Sequence, residues 1–288
     1  LSLVSTPLFI LGFVSTDIAR SSVSLRRVQE VLLANVARDK GALKRVIKGH
    51  VQFKNVSLTI DGKQILDNIS FEIKPNTKTA IIGPTASGKT QIFNLLIGLI
   101  KPDHGEILID GEYIENYDKE SLYNQVATVF QESIIFNTNI KENIDFKKGG
   151  VDIKDLDTAI QTAMLDKFVA VLPNGLDTLV SEKGTSLSGG QKQRIMLARA
   201  LSFKPKLLLL DDFTARVDIQ TESEINNLLT KNYPNLTLVS ITQKIEPIVD
   251  FDQIFLLMRG KLIANGNHSQ LMQDSFEYKK IYDSQQTV

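Results

Sequence analysis

The sequence predicts an α/β fold: a mixed sheet covered by helices, with a small antiparallel β layer near its start. Three observations predict it. Beyond about residue 50 the apolar pattern alternates between strand and helix periods. Two unbroken apolar runs, Ala80–Ile82 and Leu207–Leu210, suit the centre of a parallel sheet buried on both faces. One of those strands, "TKTAIIG" (77–83), runs into a glycine-containing loop that opens a helix, "QIFNLLIGLI" (91–100).

The elements follow in order. Residues 1–14, "LSLVSTPLFILGFV", are largely apolar, but fewer than the ~20 a membrane-spanning helix needs. No basic stretch precedes them and no small-residue cleavage site follows, which argues against a signal peptide. Arg20, Arg26 and Arg27 come just after, together with Asp17. That basic flank is the cytoplasmic-side pattern. The expectation for 1–36 is the inner end of a last transmembrane helix with its cytoplasmic extension; a buried amphipathic helix of a soluble protein is the alternative. Val23, Leu25, Val28, Val31 and Leu32 continue the helical period. Residues 37–49, polar and basic with a glycine, read as a linker, and 50–288 as the α/β domain. Within it "VQFKNVSLTI" (51–60) and "ISFEIK" (69–74) alternate like strands around a turn, "DGKQ". "GEILID" (105–110) is a strand, "IQTAMLDKFVAVL" (160–172) a helix, "KLLLLDD" (206–212) a buried strand, "ESEINNLLT" (222–230) a helix and "LTLVSIT" (236–242) a strand.

The 288 residues are enough for a domain with a full core and something more. Lys plus Arg equals Asp plus Glu, at 33 each, so overall charge gives no reason to expect a nucleic-acid partner. With no cysteine there is no disulfide frame and no thiolate metal site. His50, His104 and His268 are scattered and read as surface or turn residues.

"GPTASGKT", Gly83 to Thr90, carries the chemistry: Gly83, Pro84, Thr85, Ala86, Ser87, Gly88, Lys89 and Thr90 fit the phosphate loop between a strand and a helix. The glycines let amide N–H groups face phosphates, and the following helix aims its positive end at the same place. Lys89 can reach the β- and γ-phosphates of ATP, and the Thr90 hydroxyl can bind Mg²⁺. Asp211, at the end of the leucine strand, supplies the carboxylate such a loop needs for Mg²⁺.

"LSGGQKQR", Leu187 to Arg194, resembles the signature of ATP-binding cassette (ABC) proteins. The phosphate loop upstream and the LLLLDD strand downstream stand in that family's order. The resemblance implies a core with a helical insertion at about 132–201, a glutamine loop at Gln131 that also serves the metal, and a D-loop ending at Asp218. "FNTNIKENI" (136–144) and "LVSEKGTSLSGGQ" (179–191) look like the exporter type. In that type six membrane helices precede the nucleotide domain, which lies on the cytoplasmic side of the plasma or inner membrane. Ser188, Gly189, Gly190 and Gln191 then form a second anion site, which in the family meets ATP held by the opposite subunit. ATP and Mg²⁺ are the implied cofactors. The partners are a second half-transporter chain, the membrane and an exported small molecule, lipid or peptide.

Four positions depart from the family pattern. Asp212 stands where the general base is usually glutamate, and Gln243 where a histidine is usual. Ile60 replaces the aromatic residue that stacks on adenine, and Ala86 a common glycine, a minor change on sequence grounds. Shortening the acid by one methylene withdraws the carboxylate by about 1.5 Å; Gln243 can hydrogen-bond but cannot titrate near neutral pH. The expectation is the degenerate half of a heterodimeric exporter. A slow homodimer is the alternative, and a purely regulatory nucleotide-binding module would share the same two residues. A soluble cassette protein acting on DNA or ribosomes, or an importer subunit, would lack the apolar lead.

Overall fold

The computed structural model describes residues 2–33, 41–146, 149–181 and 184–286. The end of the expected helical extension (34–36), the first part of the expected linker (37–40) and Glu182 and Lys183 of the exporter-like segment lie outside the described residues. The chain divides into two compact units, Leu1–Asp39 and Lys40–Val288. The first is one helix, α1 (Ser2–Leu32), with Pro7 inside it. Phe9, Ile10, Phe13, Ile18 and Leu32 are among its exposed apolar side chains. No helix among the described residues is long and apolar enough to cross a membrane.

The second unit holds two sheets. The smaller is antiparallel, in the order β2–β1–β4–β5, from β1 (Val51–Ile60), β2 (Lys63–Ile73), β4 (His104–Ile109) and β5 (Glu112–Tyr113). The larger runs β10–β9–β3–β8–β7–β6. Its strands are β3 (Lys78–Ile82), β6 (Val126–Val129), β7 (Leu207–Asp211), β8 (Thr237–Thr242), β9 (Gln253–Met258) and β10 (Lys261–Gly266). All are parallel except β10, which pairs antiparallel to β9 at the edge. The leucine run explains itself here. Leu208 and Leu210 join the core on the side of the helical insertion, and Leu207 and Leu209 join the core shared with the small sheet. A strand covered on both faces favours an unbroken apolar run over an alternating one.

The helices are α2 (Lys89–Leu96), α3 (Lys119–Tyr123), α4 (Ile140–Ile144), α5 (Ile153–Thr162), α6 (Asp166–Ala170), α7 (Gly189–Ser202), α8 (Ile219–Asn232), α9 (His268–Asp274) and α10 (Phe276–Gln286). Between β6 and β7 lie α4 to α7.

Several expected boundaries shift. Residues 41–49 are packed rather than free: Ala42 and Leu43 N–H groups donate to the Asn116 carbonyl at 3.1 and 2.9 Å, and Ile47 is buried. The hairpin turn is only Asp61–Gly62, because Lys63 and Gln64 pair with Ile60 and Thr59, as a two-residue loop requires. The helix after the phosphate loop starts at Lys89 and stops at Leu96, with the chain turning at Gly98. The single helix expected over 160–172 is broken: Met164 takes a positive φ of 53° and Leu165 drops into the core between α5 and α6. His268 is on a helix, not in a turn, and its Nδ1 lies 2.8 Å from the Tyr278 hydroxyl.

Candidate nucleotide site

Four neighbouring parallel strands end at one cleft. The phosphate loop follows β3, Gln243 follows β8, Asp211 and Asp212 close β7, and Gln131 stands two residues beyond β6. Parallel strands point their carboxyl ends the same way, so residues far apart in sequence converge there. The cleft has a volume of about 310 Å³ and is lined by Thr85 to Thr90, Gln131, Asp211, Asp212 and Gln243, among others.

The loop is shaped around its own lysine. Lys89 is 8% exposed, and its Nζ donates to the carbonyls of Gly83 and Pro84, both at 2.8 Å. Burial lowers its pKa, opposed by the charges of Asp212 and Asp211. Gly88 caps α2, and a Cβ there would lie 2.7 Å from Leu66 Cδ2 and 3.0 Å from the Ile65 carbonyl. Only glycine lets the loop pass so close to β2. Ala86 has φ of 62°. The replacement of glycine there therefore carries backbone strain, more than the minor change expected from the sequence.

Asp211 is 3% exposed, and burial raises its pKa, while its hydrogen bond with the Thr90 side chain and the Lys89 charge oppose the rise. Asp212 adopts a left-handed φ of 48°, and its Oδ2 accepts from Gln131 Nε2 at 3.3 Å. Burial raises its pKa too, against the Lys89 and Lys244 charges. Thr90, Asp211 and Gln131 thus offer oxygen donors and no soft ligand, a set that fits Mg²⁺.

The signature lies elsewhere. Ser188, Gly189, Gly190 and Gln191 do not line this cleft. They form the start of α7, where the Ser188 hydroxyl accepts from Gln191 N–H at 3.2 Å and Gln191 Oε1 accepts from Ser188 N–H at 2.8 Å, a capping box. A Cβ on Gly190 would meet the Arg216 carbonyl at 2.8 Å. Asp218 caps α8 through Thr221 N–H at 2.9 Å; that bond holds its carboxyl below the usual range.

Ile60 is also outside the lining. It packs against the core under the small sheet, and Ile65 lines the cleft wall. The tight hairpin is the reason: it turns the chain at Asp61, and β2 carries the next apolar residue back to the loop. Sequence reasoning also missed Gln193, which is fully buried and donates from Nε2 to the Gln131 carbonyl at 2.9 Å. Its signal was inside the signature itself, two residues after Gln191.

Comparison with known proteins supplies independent findings. Residues 66–215 match the model of the ABC transporter family. The chain is 40% identical over 269 residues to an uncharacterized ABC transporter ATP-binding protein, YfiB, of Bacillus subtilis, covering 92% of this chain and 47% of that protein. It is 35% identical over 281 residues to a multidrug resistance ABC transporter ATP-binding and permease protein of Lactococcus lactis, covering 95% of this chain and 47% of that one. A solved structure of a bacterial Atm1-family ABC exporter with ATP bound is similar with a TM-score of 0.85 and 32% identity, covering 99% of this chain and 50% of that one. The chain spans about half the length of the curated relatives it matches.

Proposed function

The chain belongs to the ABC transporter family, and on that premise we propose that it is the nucleotide-binding portion of one half of an ABC exporter. In this reading it pairs with a second half-transporter, binds MgATP on the cytoplasmic side of the membrane, and couples that binding to export of a small molecule, lipid or peptide. One observation carries the reading: four adjacent strands bring phosphate loop, metal carboxylate, acid and Gln243 to one cleft, while the signature stays outside it. A site so divided needs a second subunit to supply its missing half.

Lys89 and the loop amides hold the β- and γ-phosphates of ATP. Thr90, Asp211 and Gln131 hold Mg²⁺, which when bound neutralises phosphate charge. Asp212 is the group that would accept a proton from the attacking water. It is a short acid, tied to Gln131, and its neighbour Gln243 cannot titrate. This chain's own site therefore retains ATP through many turnovers of the partner's site, while Ser188 and its helix N-terminus complete that partner site. The two substitutions support a heterodimer. A slow homodimer is the second reading, favoured by the presence of a carboxylate at position 212.

Binding is tested first. Lys89→Ala removes the loop's side-chain cation, and MgATP affinity by titration calorimetry should fall severely or vanish. Equal affinity in the two proteins would remove the nucleotide assignment.

A further inference from the structure

Gln243 is held from behind. It lines the cleft, and its backbone is gripped by α10. Gln285 Nε2, on α10, donates to the Gln243 carbonyl at 2.7 Å. The same carboxamide accepts from the Ile245 N–H at 2.9 Å through Oε1. One planar amide thus bridges the residues on either side of Lys244. A third bond, from Lys244 N–H to Thr242 Oγ1 at 3.0 Å, fixes the turn.

The helix that delivers this grip is itself anchored. Tyr278, on α10, is fully buried in the core that also contains Ile245, Ile248 and Phe251. Its hydroxyl meets His268 Nδ1, and the His268 ring packs edge-on to both Tyr278 and Tyr282. Gln285 therefore reaches the loop from a docked helix rather than from a loose tail.

We infer that Gln285 is a positioning residue for nucleotide recognition: its carboxamide fixes the backbone of residues 243–245 so that the Gln243 side chain is aimed at the γ-phosphate. The inference rests on the proposed role of the cleft as an ATP site. The consequence is selective. ADP lacks the γ-phosphate, so a misaimed Gln243 costs ATP affinity and leaves ADP affinity alone.

The test compares MgATP and MgADP affinities by calorimetry for wild type, Gln285→Ala, Gln243→Ala and the double variant. Gln285→Ala should weaken MgATP by about three- to tenfold, the scale of one or two net hydrogen bonds, and leave MgADP unchanged. In the Gln243→Ala background it should add nothing, since two residues acting through one contact are not additive. Gln285→Glu keeps the acceptor for Ile245 but sets an oxygen against the Gln243 carbonyl, so it should behave like the alanine variant. It gives the same comparison if Gln285→Ala misfolds. Equal loss of MgATP and MgADP, or an additive loss in the double variant, overturns the inference. If Gln243→Ala alone loses ATP selectively and Gln285→Ala does not, only the inference falls. If Gln243→Ala changes nothing, the proposed role of Gln243 falls and the inference with it.

Discussion

Ala86 shows how one residue can carry a cost that its chemistry hides. Its methyl group is innocuous, but its φ of 62° is a region that costs an L-residue about 1–2 kcal/mol. Glycine would relieve that strain while adding freedom to the unfolded chain, worth about 0.4–1 kcal/mol against it. The relief of strain outweighs the added freedom. Ala86→Gly should therefore raise stability in urea unfolding by about 0.5–1 kcal/mol, and a loss of stability would mean that the loop is unstrained. Asp212 has the same left-handed backbone, at 48°, but Asp tolerates that region better because its side chain can bond locally. The acid is thus held in a fixed direction, toward Gln131, and its reach is limited by the length of the side chain alone.

At the scale of elements, α8 brings a buried acid toward the loop after β8 that carries Lys244 and Glu246. Glu222 is 4% exposed, in the first turn of α8, and among the described residues its Oε2 has no hydrogen-bond partner. Burial pushes its pKa up to about 8, with Lys244 opposing the rise and Glu246 adding to it. The folded protein therefore holds this proton more tightly than the unfolded chain, whose Glu titrates near 4.5. Its contribution is complete below about pH 4.5 and is lost as pH rises toward 8, by on the order of a few kcal/mol. Glu222→Gln should remove this pH dependence: the stability difference between variant and wild type should grow in the variant's favour from pH 5 to pH 8.5 in urea unfolding. A constant difference would show that Glu222 does not titrate in that window. The elements themselves were unequally legible. The leucine strand and the phosphate loop were readable because their signals are local: four apolar residues in a row, and a loop whose glycines and lysine fall within eight positions. The α5–α6 break was not, since only the burial of Leu165 in the finished core forces Met164 to turn. Gln285 gave no sign at all, because its two bonds reach back 42 and 40 residues and no pattern near it marks them. Ile65 was hidden by the hairpin register, which decides which of two isoleucines faces the cleft.

At the scale of the molecule, the proposed nucleotide site and the signature are separate. The proposed binding groups Lys89, Thr90 and Asp211 converge in one cleft, the signature stands apart at the head of α7, and the two residues that depart from the family pattern, Asp212 and Gln243, are those that would handle water in the proposed function. In the function proposed above, a chain built this way holds ATP and leaves most of the hydrolysis to its partner's site. Steady-state phosphate release from the purified pair, carrying one substitution at a time, puts that division of labour to the test. Asp212→Asn should cost the pair little. The equivalent change of the partner's general base should cost on the order of a hundredfold or more, as expected for losing a positioned base. If Asp212→Asn stops hydrolysis as completely as the partner's substitution does, this site is itself active, and the chain is one of two equal ATPases.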